Sequence, residues 1–280
     1  MNLAEMLFLR KKQKNSALYM PYLTLGDPDF ETSIEIANAM IEAGADILEL
    51  GIPFSDPTAD GPVIQKAMVR SMKHPNFSLN KIFEVTQKIH SQNPDIPLVY
   101  LTYFNPVFKY KKNENTFIGE AFFKKCEEIG IKALVIPDLP FDSYEFIEIY
   151  QSINKSNRNI SIIPMIAPNT SEKRIKQILK YGNGFVYYIT SLGVTGLRES
   201  LPENIKERAN LIRKYTSIPI FAGFGINKPE QANELKSIFD GVIVGSLNHK
   251  IIEEELQQQD RIKEKIYKTT KNFVENLLYV

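Results

Sequence analysis

Short runs of β-branched and aromatic residues recur along the chain, each followed by a turn and a longer stretch whose apolar positions return at helical spacing. That alternation predicts parallel strands joined by crossover helices. Residues 2 to 13 read as a leading helix, Ala17 to Thr24 as the first strand, Gly26 to Asp29 as a turn, and Glu31 to Glu42 as the next helix. The second strand is Asp46 to Leu50, followed by a long Pro- and Gly-rich loop and a helix near Leu79 to Ser91. Further strands are expected at Pro97 to Thr102, Ala133 to Ile136, Ile160 to Pro164, Gly184 to Ile189, Ile218 to Ala222 and Gly241 to Val244. The intervening helices lie near Phe117 to Ile129, Phe141 to Ile153 and Glu203 to Tyr215, with others opening at Ser171 as N-cap and at Pro229, and the C-terminus is largely helical.

Eight strands in series, none without a helix for long, is the count required by a (β/α)8 TIM barrel, here with an extra N-terminal helix and a helical C-terminus. An open doubly wound sheet shares the alternation, but the even spacing and the placement of the glycines favour closure. One barrel domain over residues 1–280 is expected. Its strands are almost continuously apolar, as strands covered on both faces should be. A charged residue among them therefore needs a reason.

Composition narrows the function classes. With 43% hydrophobic and 24% charged residues the chain is an ordinary globular one, and its length allows about three quarters of the unfolded surface to be buried. The 34 basic and 33 acidic side chains leave a net charge of +1 with no basic block, which argues against a nucleic-acid partner. No apolar run is long enough for a membrane span, and charge appears within a few residues of Met1, unlike a signal peptide, so a cytoplasmic location is expected. Cys126 is the single cysteine, which excludes an internal disulfide and reads as a buried structural thiol. His74, His90 and His249 lack ligand spacing, and no metal is expected.

The conspicuous charge is Glu49, at the end of the second strand. Pointed into a barrel mouth it loses hydration, its pKa rises, and it exchanges protons near neutrality; the alternative is a strand-end salt bridge. The following loop, Gly51 to Pro62, has its backbone narrowed by prolines and presents Asp56 and Asp60. Asp60 lies eleven positions past Glu49, near enough to return over the same mouth and share acid–base work. Asp56 can instead cap a turn or face a partner. Gly223-Phe224-Gly225 follows the seventh strand and Gly245-Ser246 the eighth, where barrels bind phosphate through backbone N–H groups and a helix start. Tight turns are the plainer reading of each pair alone, and the missing third glycine excludes a dinucleotide fingerprint. Thr190 to Arg198, with Gly193 and Gly196, reads as a hinged lid or a mobile surface loop. Tyr187 and Tyr188 must face opposite sides of their strand, and alternation alone does not choose the inward one. Tyr22 and Phe224 offer aromatic wall beside a planar substrate, or core packing.

The run Glu49-Leu50-Gly51-Ile52-Pro53-Phe54-Ser55-Asp56-Pro57-Thr58-Ala59-Asp60-Gly61-Pro62, with Thr102-Tyr103-Phe104-Asn105-Pro106, Pro137-Asp138-Leu139-Pro140, Gly193-Val194-Thr195-Gly196 and Gly223-Phe224-Gly225-Ile226, resembles the tryptophan synthase alpha chain family over nearly its whole length. The resemblance implies a barrel lyase that cleaves indole-3-glycerol phosphate to indole and glyceraldehyde 3-phosphate. It also implies an alpha2beta2 heterotetramer with a beta chain, which carries pyridoxal phosphate; no cofactor is implied on this chain. By the same resemblance Glu49 transfers protons, Asp60 bonds the indole nitrogen, and Tyr22, Tyr187 and Phe224 form the pocket wall. The backbone at Gly193, Gly223, Gly225, Gly245 and Ser246 is implied to hold the phosphate, and Asp56, Asn105, Pro106 and Asp138 to face the partner.

Three stretches depart from the family pattern: Thr58 stands where leucine is common, Thr190-Ser191-Leu192 where arginine often occurs, and Asp142-Ser143 where an acidic pair is usual. The first two bear on lid closure and partner coupling, the third on local contacts. Alternatives from other classes are a barrel lyase or isomerase for another phosphorylated substrate, and a partner-activating subunit whose own reaction has weakened.

Overall fold

The computed structural model describes residues 1–111, 117–156, 158–190, 204–223 and 225–278. α1 (Leu3–Lys14) leads into β1 (Leu18–Thr24), α2 (Phe30–Glu42) and β2 (Leu48–Gly51). Two helices follow, α3 (Pro62–Met72) and α4 (Leu79–Gln92), and then β3 (Leu98–Leu101). α5 (Phe104–Lys109) and α6 (Glu120–Glu128) precede β4 (Ile131–Val135), and α7 (Tyr144–Lys155) precedes β5 (Ser161–Ile162) and β6 (Met165–Ile166). The series ends with α8 (Glu172–Leu179), β7 (Val186–Ile189), α9 (Ile205–Arg213), β8 (Ile220–Gly223), α10 (Pro229–Leu235), β9 (Gly241–Val244), α11 (Ser246–Glu254) and α12 (Gln259–Leu277).

All pairings of these strands are parallel, in the order β5-β4-β3-β2-β1-β9-β8-β7-β6. β5 and β6 are two pieces of one course, the expected fifth strand, interrupted at Pro164, which has no N–H to give to a ladder. Ile163 N donates to Leu134 O (2.9 Å) on one side, and Pro164 O accepts from Tyr187 N (2.9 Å) on the other. The fifth course thus passes its hydrogen bonding from β4 to β7 and closes the (β/α)8 barrel.

Strand alternation sorts the apolar side chains into two layers. Leu18, Met20, Tyr22, Val99, Ala133, Tyr187, Phe221 and Ile243 belong to an inner cluster, while Tyr19, Leu48, Tyr100, Leu134, Tyr188 and Val242 pack outward under the helices. Tyr188 stacks on Phe239, ring centroids 5.5 Å apart, which settles which of the paired tyrosines turns inward. Each fully buried large apolar side chain contributes roughly 1.5–3 kcal/mol, so this double layer is the main source of stability. Cys126 sits fully buried in the outer layer.

The N-terminal end of the barrel is stoppered by α1. An Asn2/Glu5 capping box starts the helix, Leu3 and Leu7 enter the inner cluster, and Lys11 and Lys14 reach Asp240 (2.5 Å) and Asp46 (2.8 Å). Those aspartates also accept from backbone N–H groups, Asp46 from Tyr19 and Asp240 from Ile220, so the charges at the closed end are paired.

One expectation needs correction. The stretch between β2 and Leu79, read as loop, contains the three-turn helix α3. Its start is Gly61 followed by Pro62, whose fixed φ suits the first helical position, and Ile64, Ala67, Met68 and Ser71 form its buried face. α5, in a stretch to which the sequence reading gave no element, is a further helix; elsewhere element ends shift by a few residues, and Ser171 caps α8 by accepting from Arg174 N. Among the described residues no helix is long and apolar enough to cross a membrane, and no group of three or more His, Cys, Asp or Glu is placed to hold a metal ion.

Candidate active site

At the C-terminal ends of the strands, the end of a barrel where active sites are built, lies a small cavity. Of the sequence candidates, Tyr22, Glu49, Asp60, Tyr187, Gly225, Gly245 and Ser246 line it together, drawn from β1, β2, the loop before α3, β7, the segment after β8 and the start of α11.

Glu49 faces inward because Leu48 and Leu50 face outward, and it stands in register with Tyr22 on β1. It is 1% exposed, and its Oε1 has no hydrogen-bond partner among the described residues. Burial, and then the nearby charge of Asp60, pushes its pKa up to about 8. Glu49 is thus no strand-end salt bridge. Asp60, 4% exposed, is pushed up to about 6 by burial, drawn back in part by a hydrogen bond from Tyr103 Oη to its Oδ2 (2.6 Å). The two carboxyls therefore hold different protonation states near neutrality, the divergence that separates acid from base roles.

The loop carrying Asp60 is held at three points. Ala59 N donates to Tyr103 Oη (3.1 Å), Phe54 stacks on the Tyr103 ring (5.2 Å), and Gln65 Nε2 donates to Asp60 O (2.8 Å). Tyr103 is a site residue that the sequence reading did not single out. Alternation carried two residues past inward-facing Leu101 would have found it.

Two glycines make room for the aromatic wall. A Cβ on Gly51 would stand 2.1 Å from Tyr22 Oη, and one on Gly223 2.6 Å from the Tyr187 ring. Gly223 itself does not line the cavity; it ends β8, and its carbonyl accepts from Thr190 N and Oγ1 (both 2.9 Å). On the same cavity, α11 begins at Ser246 after Gly245, without a side-chain cap; Asn248 N turns back to Gly245 O (3.0 Å), and the N–H groups of Ser246 and Leu247 are available to an anion. Ile64, Leu101, Ile226 and Ile243 add apolar lining that the sequence reading had not assigned to the site. Gly193, Phe224, Thr195 and Ser191 lie outside the described residues.

Asp56, Asn105 and Asp138 are exposed and Pro106 is half-buried. Phe104 N donates to Asp138 Oδ1 (2.8 Å), which ties the start of α5, with Asn105 and Pro106, to the loop after β4.

Fold and cavity together define a (β/α)8 barrel whose mouth holds two buried carboxyls and a helix N-terminus on one cavity. The tryptophan synthase alpha chain family model matches residues 8–277, and the chain belongs to that family. It is 44% identical over 250 residues to the tryptophan synthase alpha chain of Leptospira interrogans (89% of this chain, 91% of the relative). To that of Leptospira borgpetersenii it is 46% identical over 240 residues (86% and 87%). Among solved structures, one from Aquifex aeolicus superposes with a TM-score of 0.86 at 32% identity, covering 100% of both chains. The tryptophan synthase alpha chain of Legionella pneumophila gives 0.84 at 26% identity, covering 99% of this chain and 97% of that one.

Proposed function

We propose that this chain is a carbon–carbon lyase that cleaves indole-3-glycerol phosphate to indole and glyceraldehyde 3-phosphate, as the alpha subunit of an alpha2beta2 tryptophan synthase. The observation that carries this reading is the pair of buried carboxyls on one cavity, Glu49 pushed up to about 8 and Asp60 to about 6. Near neutrality Glu49 holds a proton to give and Asp60 a charge to offer.

In the reaction, protonated Glu49 delivers its proton to indole C3, leaving a positive charge at the ring nitrogen. Asp60 accepts the N–H hydrogen bond and stabilises that charge. The Glu49 carboxylate, regenerated by the first transfer, takes the proton of the side-chain hydroxyl. The electron pair of the broken carbon–carbon bond returns to the ring, restoring indole and releasing the aldehyde. Tyr22 and Tyr187 hold the ring plane. The phosphate sits across the mouth at Gly225, Gly245 and the first turn of α11, where its binding energy orients the reacting end. Gly193, Gly223 and Phe224 are the further family contacts proposed for this substrate. The exposed surface of Asp56, Asn105, Pro106 and Asp138 faces the beta chain, which carries the pyridoxal phosphate. Residues 1–280 act as one domain.

The test is indole release from indole-3-glycerol phosphate by the purified chain, alone and with its beta chain in the absence of serine. Release stimulated by the partner is expected. No indole in either sample, with folded protein and authentic substrate, would redirect the reading to another phosphorylated substrate or to a regulatory subunit.

The carboxyl pair also fixes a pH dependence. Activity rises through about pH 6 as Asp60 loses its proton and falls through about pH 8 as Glu49 loses its own, so kcat/KM is bell-shaped between them. Asp60→Asn lowers activity severely, abolishes the acid limb, and shifts the alkaline limb to lower pH by removing a charge that holds Glu49 up. Persistence of the acid limb in that variant rules out this assignment of the two limbs.

A further inference from the structure

His249 is fully buried, 0% exposed, on α11 one turn beyond Ser246. Its Nε2 accepts from Thr24 N (3.0 Å), and its Nδ1 lies 2.9 Å from Asp27 Oδ2. An amide N–H can only donate, so the ring proton sits on Nδ1 and is given to Asp27. Asp27, also fully buried, is gripped on its other side by Arg70, with Nε to Oδ1 at 2.7 Å and Nη2 to Oδ2 at 3.0 Å. Burial alone would raise the Asp27 pKa, but the hydrogen bonds from His249 and Arg70 and the adjoining positive charge hold it below the usual value.

This chain of contacts joins three of the elements around the cavity. Thr24 and Asp27 end β1 and begin the turn behind it, Arg70 lies on α3, and His249 lies on α11. α3 opens directly after Asp60 and bonds its carbonyl through Gln65, while α11 opens at the anion end. The His249 ring also meets the Tyr22 wall edge-on, with centroids 5.5 Å apart. Neighbouring contacts run the same way: Asn248 Nδ2 donates to Tyr22 O (3.3 Å), and Ser71 Oγ to Leu25 O (2.7 Å).

We propose that His249 is a positioning residue for the phosphorylated substrate. By joining Thr24 N–H to the Asp27–Arg70 ion pair it fixes the start of α11 relative to Asp60 and the Tyr22 wall, so that a phosphate seated on α11 brings the other end of its molecule to the carboxyls. Helical rigidity carries the setting, since His249 and Ser246 are separated by about 4.5 Å of helix rise and share a face. A neutral imidazole fits because it offers one acceptor and one donor on opposite sides. An apolar residue leaves the Thr24 N–H without a partner and takes from Asp27 Oδ2 one of its two donors, the other being Arg70. The inference rests on the lyase reading above.

The test uses the full chain assembled with its beta chain, in the wild-type form and as His249→Val, His249→Asn and His249→Gln. Asparagine retains a donor near the Nδ1 position and glutamine an acceptor near Nε2, so each keeps one of the two bonds if valine fails to fold. For His249→Val the expected result is a KM for indole-3-glycerol phosphate raised at least about tenfold, with kcat lowered less. Calorimetric affinity for inorganic phosphate should weaken in step, while inhibition by free indole stays at its wild-type strength. The single-bond variants fall between. A lower melting temperature with unchanged KM and phosphate affinity overturns the proposal, as does equal weakening of phosphate and indole. A wild-type enzyme that releases no indole refutes the lyase reading instead, and the phosphate calorimetry, which needs no turnover, still decides whether His249 sets the anion end.

Discussion

Glu49→Gln is expected to lower indole release from indole-3-glycerol phosphate by at least about a hundredfold, or about 2.7 kcal/mol of barrier, while leaving ligand binding largely intact. Glutamine matches the shape of the protonated carboxyl but cannot give up a proton to carbon or take one from a hydroxyl. The cavity wall should survive the change, because Glu49 Oε1 makes no hydrogen bond within the described residues whose loss would disturb its neighbours. Stopped assays with the assembled enzyme, beside calorimetry with a non-cleavable substrate analogue, separate the two effects. Near-normal turnover would end the assignment of Glu49 as the proton-transfer group.

The same substitution is expected to stabilise the fold increasingly as pH rises. A carboxyl that ionises at 4.5 in the unfolded chain and at about 8 in the folded one keeps its proton on folding across that window, so wild-type stability falls between those pH values and the loss levels off above about 8. At about 1.4 kcal/mol per pH unit the full effect is on the order of 5 kcal/mol. Glutamine carries no such dependence. Denaturant unfolding of both proteins at pH 5 and pH 9 should show a gap that widens by several kcal/mol toward the alkaline side; a gap that stays constant means that the fold does not hold this proton. The activity loss and the stability gain have one cause, a carboxyl kept away from water.

Sequence periodicity was enough to find the barrel, because each strand is an apolar run and each crossover carries its own helical spacing. It was also enough for Glu49, since a lone charge in such a run stands out. α3 was obscured by the prolines and glycines immediately before it, although Pro62 is itself a helix-start signal. The break in the fifth strand comes from Pro164, whose missing N–H divides a course that reads as continuous. Closure, by contrast, depends on pairing between β1 and β9, more than two hundred positions apart, which the spacing of strands and glycines favoured but only the structure shows. Strand ends and loops supplied the pocket candidates, the resemblance gave them roles and chose Tyr187 over Tyr188, and the structure brings seven of them to one cavity. Tyr103 and His249 have partners, Asp60 and Asp27, 43 and 222 positions away; alternation from Leu101 marks Tyr103 as inward-facing but not its bond to Asp60, and nothing near His249 marks its bond to Asp27.

The stopper at the N-terminal end gives the barrel two ends with different freedoms. Leu3 and Leu7, with the lysine tethers to Asp46 and Asp240, anchor one rim, while the chemistry and the loops that serve it occupy the other. Substitutions among the tethers of the sealed rim are therefore expected to act on stability alone, whereas at the open rim a residue such as Glu49 bears on stability and reactivity together.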